Sequence, residues 1–104
     1  MATLIVLFNL KTGVSVGEYE KFAAEIDVPT VKSLKSIDDF QVYRMTGVLG
    51  APEMKSPYEY CEILQVNDMN GLFTDISTET MQKISATFQS FADNPIFIIS
   101  EKFA

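Results

Sequence analysis

The sequence contains no histidine, no tryptophan and only one cysteine in its 104 residues. Without histidine, a Ser-His-Asp triad, a histidine-ligated haem and most zinc sites are excluded. A single cysteine cannot form an intrachain disulfide, and Cys61 is expected to be a buried thiol because it lies in an apolar stretch. Acid–base chemistry would have to use Asp, Glu, Tyr, Lys or Cys. We therefore expect neither a metal site nor a cofactor.

Basic residues are also scarce, with 8 Lys and Arg against 14 Asp and Glu and a net charge of −6. A nucleic-acid partner is not expected, because phosphate binding requires clustered Lys and Arg. The apolar stretch at the N-terminus is too short to cross a bilayer and has no basic leader before it, so we expect no membrane association and a cytoplasmic location by default. The length predicts one domain over residues 1–104.

The first predicted strand, residues 3–11, is apolar on both faces. Alternate side chains fall into two apolar sets, which are Leu4, Val6, Phe8 and Leu10 on one face and Ile5 and Leu7 on the other. Both faces of such a strand must be covered, yet the remaining chain offers helices for one layer only. A second copy of the chain is the expected cover for the other face.

Two helical regions are marked by caps and apolar stripes. Ser15 and Glu18 form a capping box, and the first stripe is predicted to comprise Tyr19, Phe22, Ala23 and Ile26. Asp27 is expected to cap a short second helix before the next strand. The second region has possible caps at residues 67–68 and 77–78, followed by a stripe that comprises Met81, Ile84, Phe88 and Phe91.

Three further strands are predicted over residues 40–46, 58–66 and 96–103, and the first two of these form a hairpin across residues 47–57. That connection is rich in Gly and Pro; it is either a passive link or a lid. The order strand, helix, strand, strand, helix, strand predicts an α+β, ferredoxin-like βαββαβ protomer. Its antiparallel sheet would have four strands, with the first and third in the centre and the helices on one face.

Four polar residues are predicted to share the uncovered face of the sheet. Arg44 is assigned there because an unpaired charge beneath the helices would be strongly unfavourable. A hairpin centred near residue 52 or 53 places Arg44 opposite or diagonal to Glu62. Asn9 and Tyr60 are assigned to the same face. These four residues are either contacts for a small ligand or a polar cluster that fixes the register of a dimer interface.

Most of the chain resembles the dimeric α+β barrel superfamily and, more narrowly, the RedY-like (HapK-like) proteins of prodiginine pigment pathways. The resemblance lies in EYEKFAAEIDVPTVKSLKSIDDFQVYRM, in YEYCEILQVNDMNGLF and in the terminal IFIISEKF. It implies a homodimer whose cavity lies between sheet and helices or between the two sheets. The histidine of haem-binding members and the tryptophan of some quinone-forming monooxygenases are missing, which counts against both activities.

The resemblance implies a role in the biosynthesis of a prodiginine-type secondary metabolite. The chain would bind an aromatic or pyrrole intermediate and catalyse or assist a step without a cofactor. Asn9, Arg44, Tyr60 and Glu62 are the candidate cavity residues, and no catalytic residue is assigned. The alternative is a non-catalytic accessory protein that binds a partner enzyme or shields an intermediate.

Overall fold

The computed structural model describes residues 1–104 and contains one four-stranded antiparallel sheet with the strand order β2-β3-β1-β4. The strands are β1 (Ala2–Leu10), β2 (Ile37–Arg44), β3 (Tyr60–Val66) and β4 (Ala92–Ser100). β1 and β3 lie in the centre, as predicted, because β1 pairs with β3 and β4 and β3 pairs with β1 and β2. The fold is therefore the expected ferredoxin-like α+β arrangement.

The helices lie on one face of this sheet. They are α1 (Val16–Phe22), a π-helical turn (Ala23–Asp27), α2 (Val28–Lys32), α3 (Met69–Asp75) and α4 (Glu79–Phe91). Ser15 caps α1 by accepting a hydrogen bond from the Glu18 amide at 3.2 Å, as the capping box predicts. Thr78 caps α4 in the same way through the Met81 amide at 3.3 Å. None of these helices is long and apolar enough to cross a bilayer.

The π-helical turn changes which residue after α1 is buried. An extra residue in this turn shifts the inward stripe by one position. Ile26, predicted to be in the stripe, is 49% exposed, whereas Asp27, predicted to cap a helix, is only 5% exposed. Asp27 makes no capping hydrogen bond. The stripe therefore continues from Tyr19 and Ala23 to Asp27, and a carboxyl group points under the helices.

The last strand begins earlier than predicted. β4 starts directly after α4 at Ala92 and includes Pro95. Proline is tolerated here because β4 is an edge strand, where a missing amide donor can face solvent. Asn94 takes a positive φ of 45° next to the register shift between β1 and β4. An irregular strand start therefore precedes the predicted strand.

The core lies between the helices and the sheet. Its sheet residues alternate with residues of the uncovered face, as the pleat requires. The covered face contributes Val6, Phe8, Phe40, Leu64 and Val66 to the core. The uncovered face presents a continuous set of mostly apolar side chains from all four strands, namely Ile5, Leu7, Tyr43, Cys61, Ile63, Ile96 and Ile98. We call this set the open face.

Candidate functional site

Three of the four predicted site residues lie on the face opposite to the one predicted. Arg44 pairs with Tyr60 across the hairpin, and Val42 pairs with Glu62, a register that is symmetric about Pro52. Tyr60 and Glu62 also pair with Phe8 and Val6, which belong to the core. Arg44, Tyr60 and Glu62 therefore lie on the helix-covered face, and their assignment to the open face was wrong.

Arg44 avoids the predicted cost of burial because it lies at the rim of the helix layer. Its guanidinium makes an ion pair with Glu20 of α1, and the Arg44 side chain remains 64% exposed. Arg44 Nε donates to Glu20 Oε2 at 2.8 Å, and Nη2 donates to Oε1, so the contact is bidentate. Glu62, the partner suggested by the hairpin register, lies diagonal to Arg44 and is not its ion-pair partner.

Tyr60 completes this cluster at the rim. Its hydroxyl donates to Glu20 Oε2 at 2.7 Å. The Arg44 and Tyr60 hydrogen bonds lower the pKa of Glu20 to about 2, so this carboxylate is ionised at neutral pH. Burial and the Glu20 contact raise the pKa of Tyr60 to about 12. We refer to Glu20, Arg44 and Tyr60 as the rim cluster.

The rim cluster borders a pocket of about 660 Å³ between α1, the π-helical turn and the edge strand β2. Its other lining residues are mostly small, aliphatic or aromatic: Tyr19, Ala23, Ala24, Val28, Gln41, Val42 and Tyr43. Small-molecule sites typically have about 300–1,000 Å³ and an apolar lining with a few polar groups. The pocket has the size and the lining of such a site.

Glu62 and Asp27 lie deeper and line a second cavity, of about 190 Å³, between the sheet and the helices. Each residue is only 5% exposed. Glu62 Oε2 is buried without a hydrogen-bond partner. Burial and then the negative charge of Asp27 raise the pKa of Glu62 to about 8, and burial raises the pKa of Asp27 to about 6.

An aromatic cluster packs beside the rim cluster and the deeper carboxyl groups. The rings of Tyr19 and Tyr60 are 4.8 Å apart, and Phe8 is 5.6 Å from each of them. The buried Tyr19 hydroxyl has no hydrogen-bond partner, and burial followed by the charges of Glu62 and Asp27 raises its pKa. Tyr19 was predicted only as a core residue, but its hydroxyl also lies near the two acids.

Asn9 lies apart from the other three candidates, on the open-face side of β1. Its side chain holds the end of the β2–β3 connection through two hydrogen bonds. Nδ2 donates to the Pro57 carbonyl at 3.1 Å, and Oδ1 accepts from the Glu59 amide at 2.9 Å. Both polar atoms are thus bound to backbone groups just beyond the last β1–β3 pair. Asn9 anchors the start of β3 and does not border the pocket beneath the helices.

Three residues of the site were not among the predicted candidates: Tyr19, Glu20 and Asp27. A signal for Asp27 was present, because Val31 follows Ile26 by five residues and a regular helix stripe advances by three or four. That break in phase indicates an inserted residue. Glu20 carries no comparable sequence signal, since a Glu on the polar side of an amphipathic helix is ordinary.

Comparison with known families and structures agrees with this architecture. The sequence profile of the family described as "REDY-like protein HapK" matches residues 2–103. The crystal structure of HapK from Hahella chejuensis superposes with a TM-score of 0.78 at 22% identity, covering 99% of this chain and 93% of HapK. At this level of identity the structural likeness shows the fold.

Other proteins with the same fold have different descriptions. SnoaB from Streptomyces nogalater, described as a cofactor-independent oxygenase, superposes with a TM-score of 0.74 at 10% identity, covering 97% of this chain and 91% of SnoaB. A dimeric ferredoxin-like protein of unknown function from Thermobifida fusca superposes with a TM-score of 0.73 at 10% identity, covering 97% and 90%. No curated protein sequence matches the chain.

Proposed function

The chain belongs to the family of REDY-like HapK proteins, and from this premise we propose that it is a homodimeric α+β barrel protein of secondary metabolism. Its ligand would be a flat aromatic or pyrrole-type intermediate, of the prodiginine kind that its resemblance to RedY-like proteins implies. The protein would act in the cytoplasm and would catalyse or assist one step without a cofactor. SnoaB, described as a cofactor-independent oxygenase, indicates that this fold can host chemistry of that kind.

The observation that carries this proposal is the apolar pocket of about 660 Å³ with the rim cluster at its mouth. The pocket offers aromatic and aliphatic surface for a planar ring and one strongly polar edge for orientation. The Arg44 charge is balanced by Glu20. The edge is therefore suited to a neutral polar group, such as a carbonyl, more than to a free anion.

Arg44 and Tyr60 have distinct proposed roles. Glu20 binds Nε and Nη2 of Arg44, and the guanidinium keeps further N–H groups that can donate to a ligand carbonyl. The Tyr60 hydroxyl is committed to Glu20. Its ring stacks on Phe8 with an interplanar angle of 19° and presents aromatic surface to the pocket. Arg44 would orient the ligand, and Tyr60 would hold the rim cluster and contact the ring.

A homodimer is proposed from the composition of the open face. Ile96 and Ile98 of β4 are 44% and 40% exposed, and they lie beside Leu7 and Ile5 of β1. A contiguous apolar patch across a sheet is a typical interaction surface. Dimeric ferredoxin-like proteins are among the structures with this fold. The open face of a second copy is the proposed cover.

The test is binding of pyrrole and bipyrrole carbaldehydes, measured by titration calorimetry together with the mass of any product. We expect binding by the unaltered protein, and we expect Arg44→Ala to weaken it about 10- to 100-fold, since a hydrogen bond from a charged group contributes about 1.5–3 kcal/mol. Tyr60→Phe should weaken it less, because the ring remains. Lys32→Ala is the matched control, since Lys32 also pairs with a carboxylate, Asp39, at 3.5 Å but does not line the pocket.

Arg44→Ala and Tyr60→Phe proteins that fold, dimerise and retain full binding and product formation would refute the assignment of the pocket. Binding without any change in the mass, the isomeric form or the solvent hydrogen exchange of the ligand would favour the alternative role of an accessory protein that shields an intermediate. Binding that is unaffected by the pocket variants but is lost when the open face is altered would place the ligand between the two sheets instead.

A further inference from the structure

The cavity beneath the helices contains two carboxyl groups that the proposed ligand contacts at the rim do not use. Glu62 and Asp27 line this cavity of about 190 Å³ together with mostly aliphatic and aromatic side chains. Both residues are 5% exposed. Burying acids in an apolar environment destabilises a protein unless the acids are paired and hydrogen-bonded. Stability therefore does not explain their presence.

The surroundings of Glu62 do not neutralise it. Its Oε2 is buried and has no hydrogen-bond partner. No Lys or Arg lines the cavity. Apart from Asp27, the groups that face Glu62 from the packed elements are apolar or uncharged: Val6 of β1, Val42 of β2, Tyr19 of α1, and Ser85 and Gln89 of α4. An unpartnered carboxyl oxygen therefore borders an otherwise largely apolar cavity.

The π-helical turn supplies the second acid. A regular helix would continue the stripe with Ile26, but the inserted residue turns Asp27 inward instead. π-helical turns occur frequently at functional sites, because they place a side chain where a regular helix would not. Glu62 and Asp27 thus come from two different elements and meet in one cavity.

The two acids have different protonation states at neutral pH. The pKa of Asp27 is raised to about 6 and that of Glu62 to about 8, so Asp27 is ionised while Glu62 keeps its proton. The pair then offers one proton acceptor and one proton donor. Two titratable groups whose pKa values are separated in this way are suited to act as a base and an acid together.

We infer that Asp27 and Glu62 are an acid–base pair that tautomerises a small nitrogen heterocycle carrying a carbonyl group. This inference rests on the proposed function, because it assumes that the ligand ring enters beneath the helices. The Asp27 carboxylate removes a proton from ring carbon, and the C–H electron pair moves into the ring. The carbonyl oxygen takes the Glu62 proton and becomes a hydroxyl. A proton shift from Asp27 to Glu62 restores the pair, so no oxidant, reductant or cofactor is required.

The dimensions of the cavity fit this assignment. A protein cavity of about 150 Å³ is enough to bind benzene, and this one has about 190 Å³. Glu62 follows Tyr60 by two residues on the same face of β3, a distance of about 7 Å along a strand. The cavity and the rim pocket share no lining residue, so the ring that reacts is one bound in the cavity itself.

The experiment uses pyrrolinone, an unsaturated five-membered lactam with an N–H, a carbonyl and an acidic C–H. Its exchange of ring hydrogen for deuterium in heavy water is followed by proton NMR across a pH series. We expect acceleration over buffer with a bell-shaped pH profile, rising near pH 6 and falling near pH 8 with the two titrations. Glu62→Gln and Asp27→Asn should each reduce the acceleration about 100-fold or more.

The matched control is Glu25→Gln, which removes an exposed carboxylate from the same π-helical turn and should leave exchange unchanged. Binding of pyrrolinone is measured separately by calorimetry, and the Asp27 and Glu62 titrations by NMR of labelled carboxyl groups. Binding without accelerated exchange, or equal acceleration by Glu62→Gln, would overturn the inference and leave the proposed ligand site intact. Ordinary titrations of both acids would overturn it whatever the ligand does. Absence of binding would overturn it together with the pyrrole-type ligand class.

Discussion

The two faces of the sheet carry different kinds of side chain, although they are formed by the same four strands. The helix-covered face combines a core of large apolar residues with Glu62, Asp27 and the rim cluster. The open face has an apolar centre and carries its polar residues, such as Gln41 and Gln65, towards β2 and the strand ends. An apolar sheet face suits packing against another protein surface, whereas isolated acids in a cavity suit chemistry.

This difference separates assembly from ligand binding except at the edge strand β2, where Gln41 and Tyr43 lie on the open-face side and also line the pocket. In the proposed dimer the open face would be buried in the interface, and each protomer would keep its own pocket beneath its own helices. The pocket and both carboxyl groups are complete within one chain. Changes on the open face should therefore alter the oligomeric state first, and changes on the covered face should alter titration and ligand binding first.

The largest effect is expected from Ile63→Glu, at the centre of the open face. Ile63 lies on β3 between Ile5 and Gln41. A two-fold interface would bury the new charge twice, and an unpaired buried charge costs about 3–5 kcal/mol. The dissociation constant should rise at least about 1,000-fold, which sedimentation velocity would report as a monomer.

The control for this prediction is Val16→Glu, which places the same charge on an exposed apolar residue at the start of α1. It should remain dimeric, because α1 lies on the other side of the sheet. An unaltered protein that sediments as a monomer, or an Ile63→Glu protein that stays dimeric, would refute the assignment of the open face.

A second prediction concerns the pH dependence of stability, which the buried acids should dominate above pH 4.5. The pKa of Glu62 is raised from 4.5 to about 8, so between these values the unfolded chain has lost a proton that the folded chain retains. Stability should therefore decrease as pH rises through this window, by roughly 5 kcal/mol for Glu62. Asp27, raised from 3.8 to about 6, contributes in the same direction.

Urea unfolding at a series of pH values measures this effect, and the Glu62→Gln variant tests whether Glu62 causes it. The variant cannot ionise, so the free energy of unfolding should change much less between pH 5 and 8 and should exceed that of the unaltered protein at alkaline pH. Glu25→Gln again serves as the surface control. A stability that rises with pH across this window in the unaltered protein would contradict the burial of the two acids.

The fold was predictable from sequence to a greater extent than the site. Alternation, caps and breakers identified β1, the order of the elements and the register of the hairpin, because these depend on local periodicity and turn geometry. The face of Arg44 was not identified, since a position on the helix-covered face need not be buried. Arg44 occupies the end of an edge strand, where the helix layer stops and Glu20 is within reach. Only the three-dimensional outline of the layer shows this.

The smallest effect on stability is expected at the rim, from Arg44→Ala. The guanidinium is 64% exposed, so the ion pair with Glu20 is screened by solvent, and its loss should change the free energy of unfolding only slightly. The pKa of Glu20 should nevertheless rise from about 2 towards its ordinary value, because the Arg44 hydrogen bonds are the largest cause of its depression. NMR titration of the Glu20 carboxyl measures this change directly.

The sign of this effect is opposite to that of the buried acids. A depressed pKa contributes stability that is present above pH 4.5 and lost as pH falls towards 2. In the Arg44→Ala protein that small contribution should largely disappear, while the alkaline decrease caused by Glu62 and Asp27 should remain. Lys32→Ala should leave the Glu20 titration unchanged, since Lys32 pairs with Asp39. If the Glu20 pKa stays near 2 in the Arg44→Ala protein, the Tyr60 hydrogen bond alone is enough to keep it low. The role of Arg44 in the unaltered protein would then be ligand binding and not stabilisation of the Glu20 carboxylate.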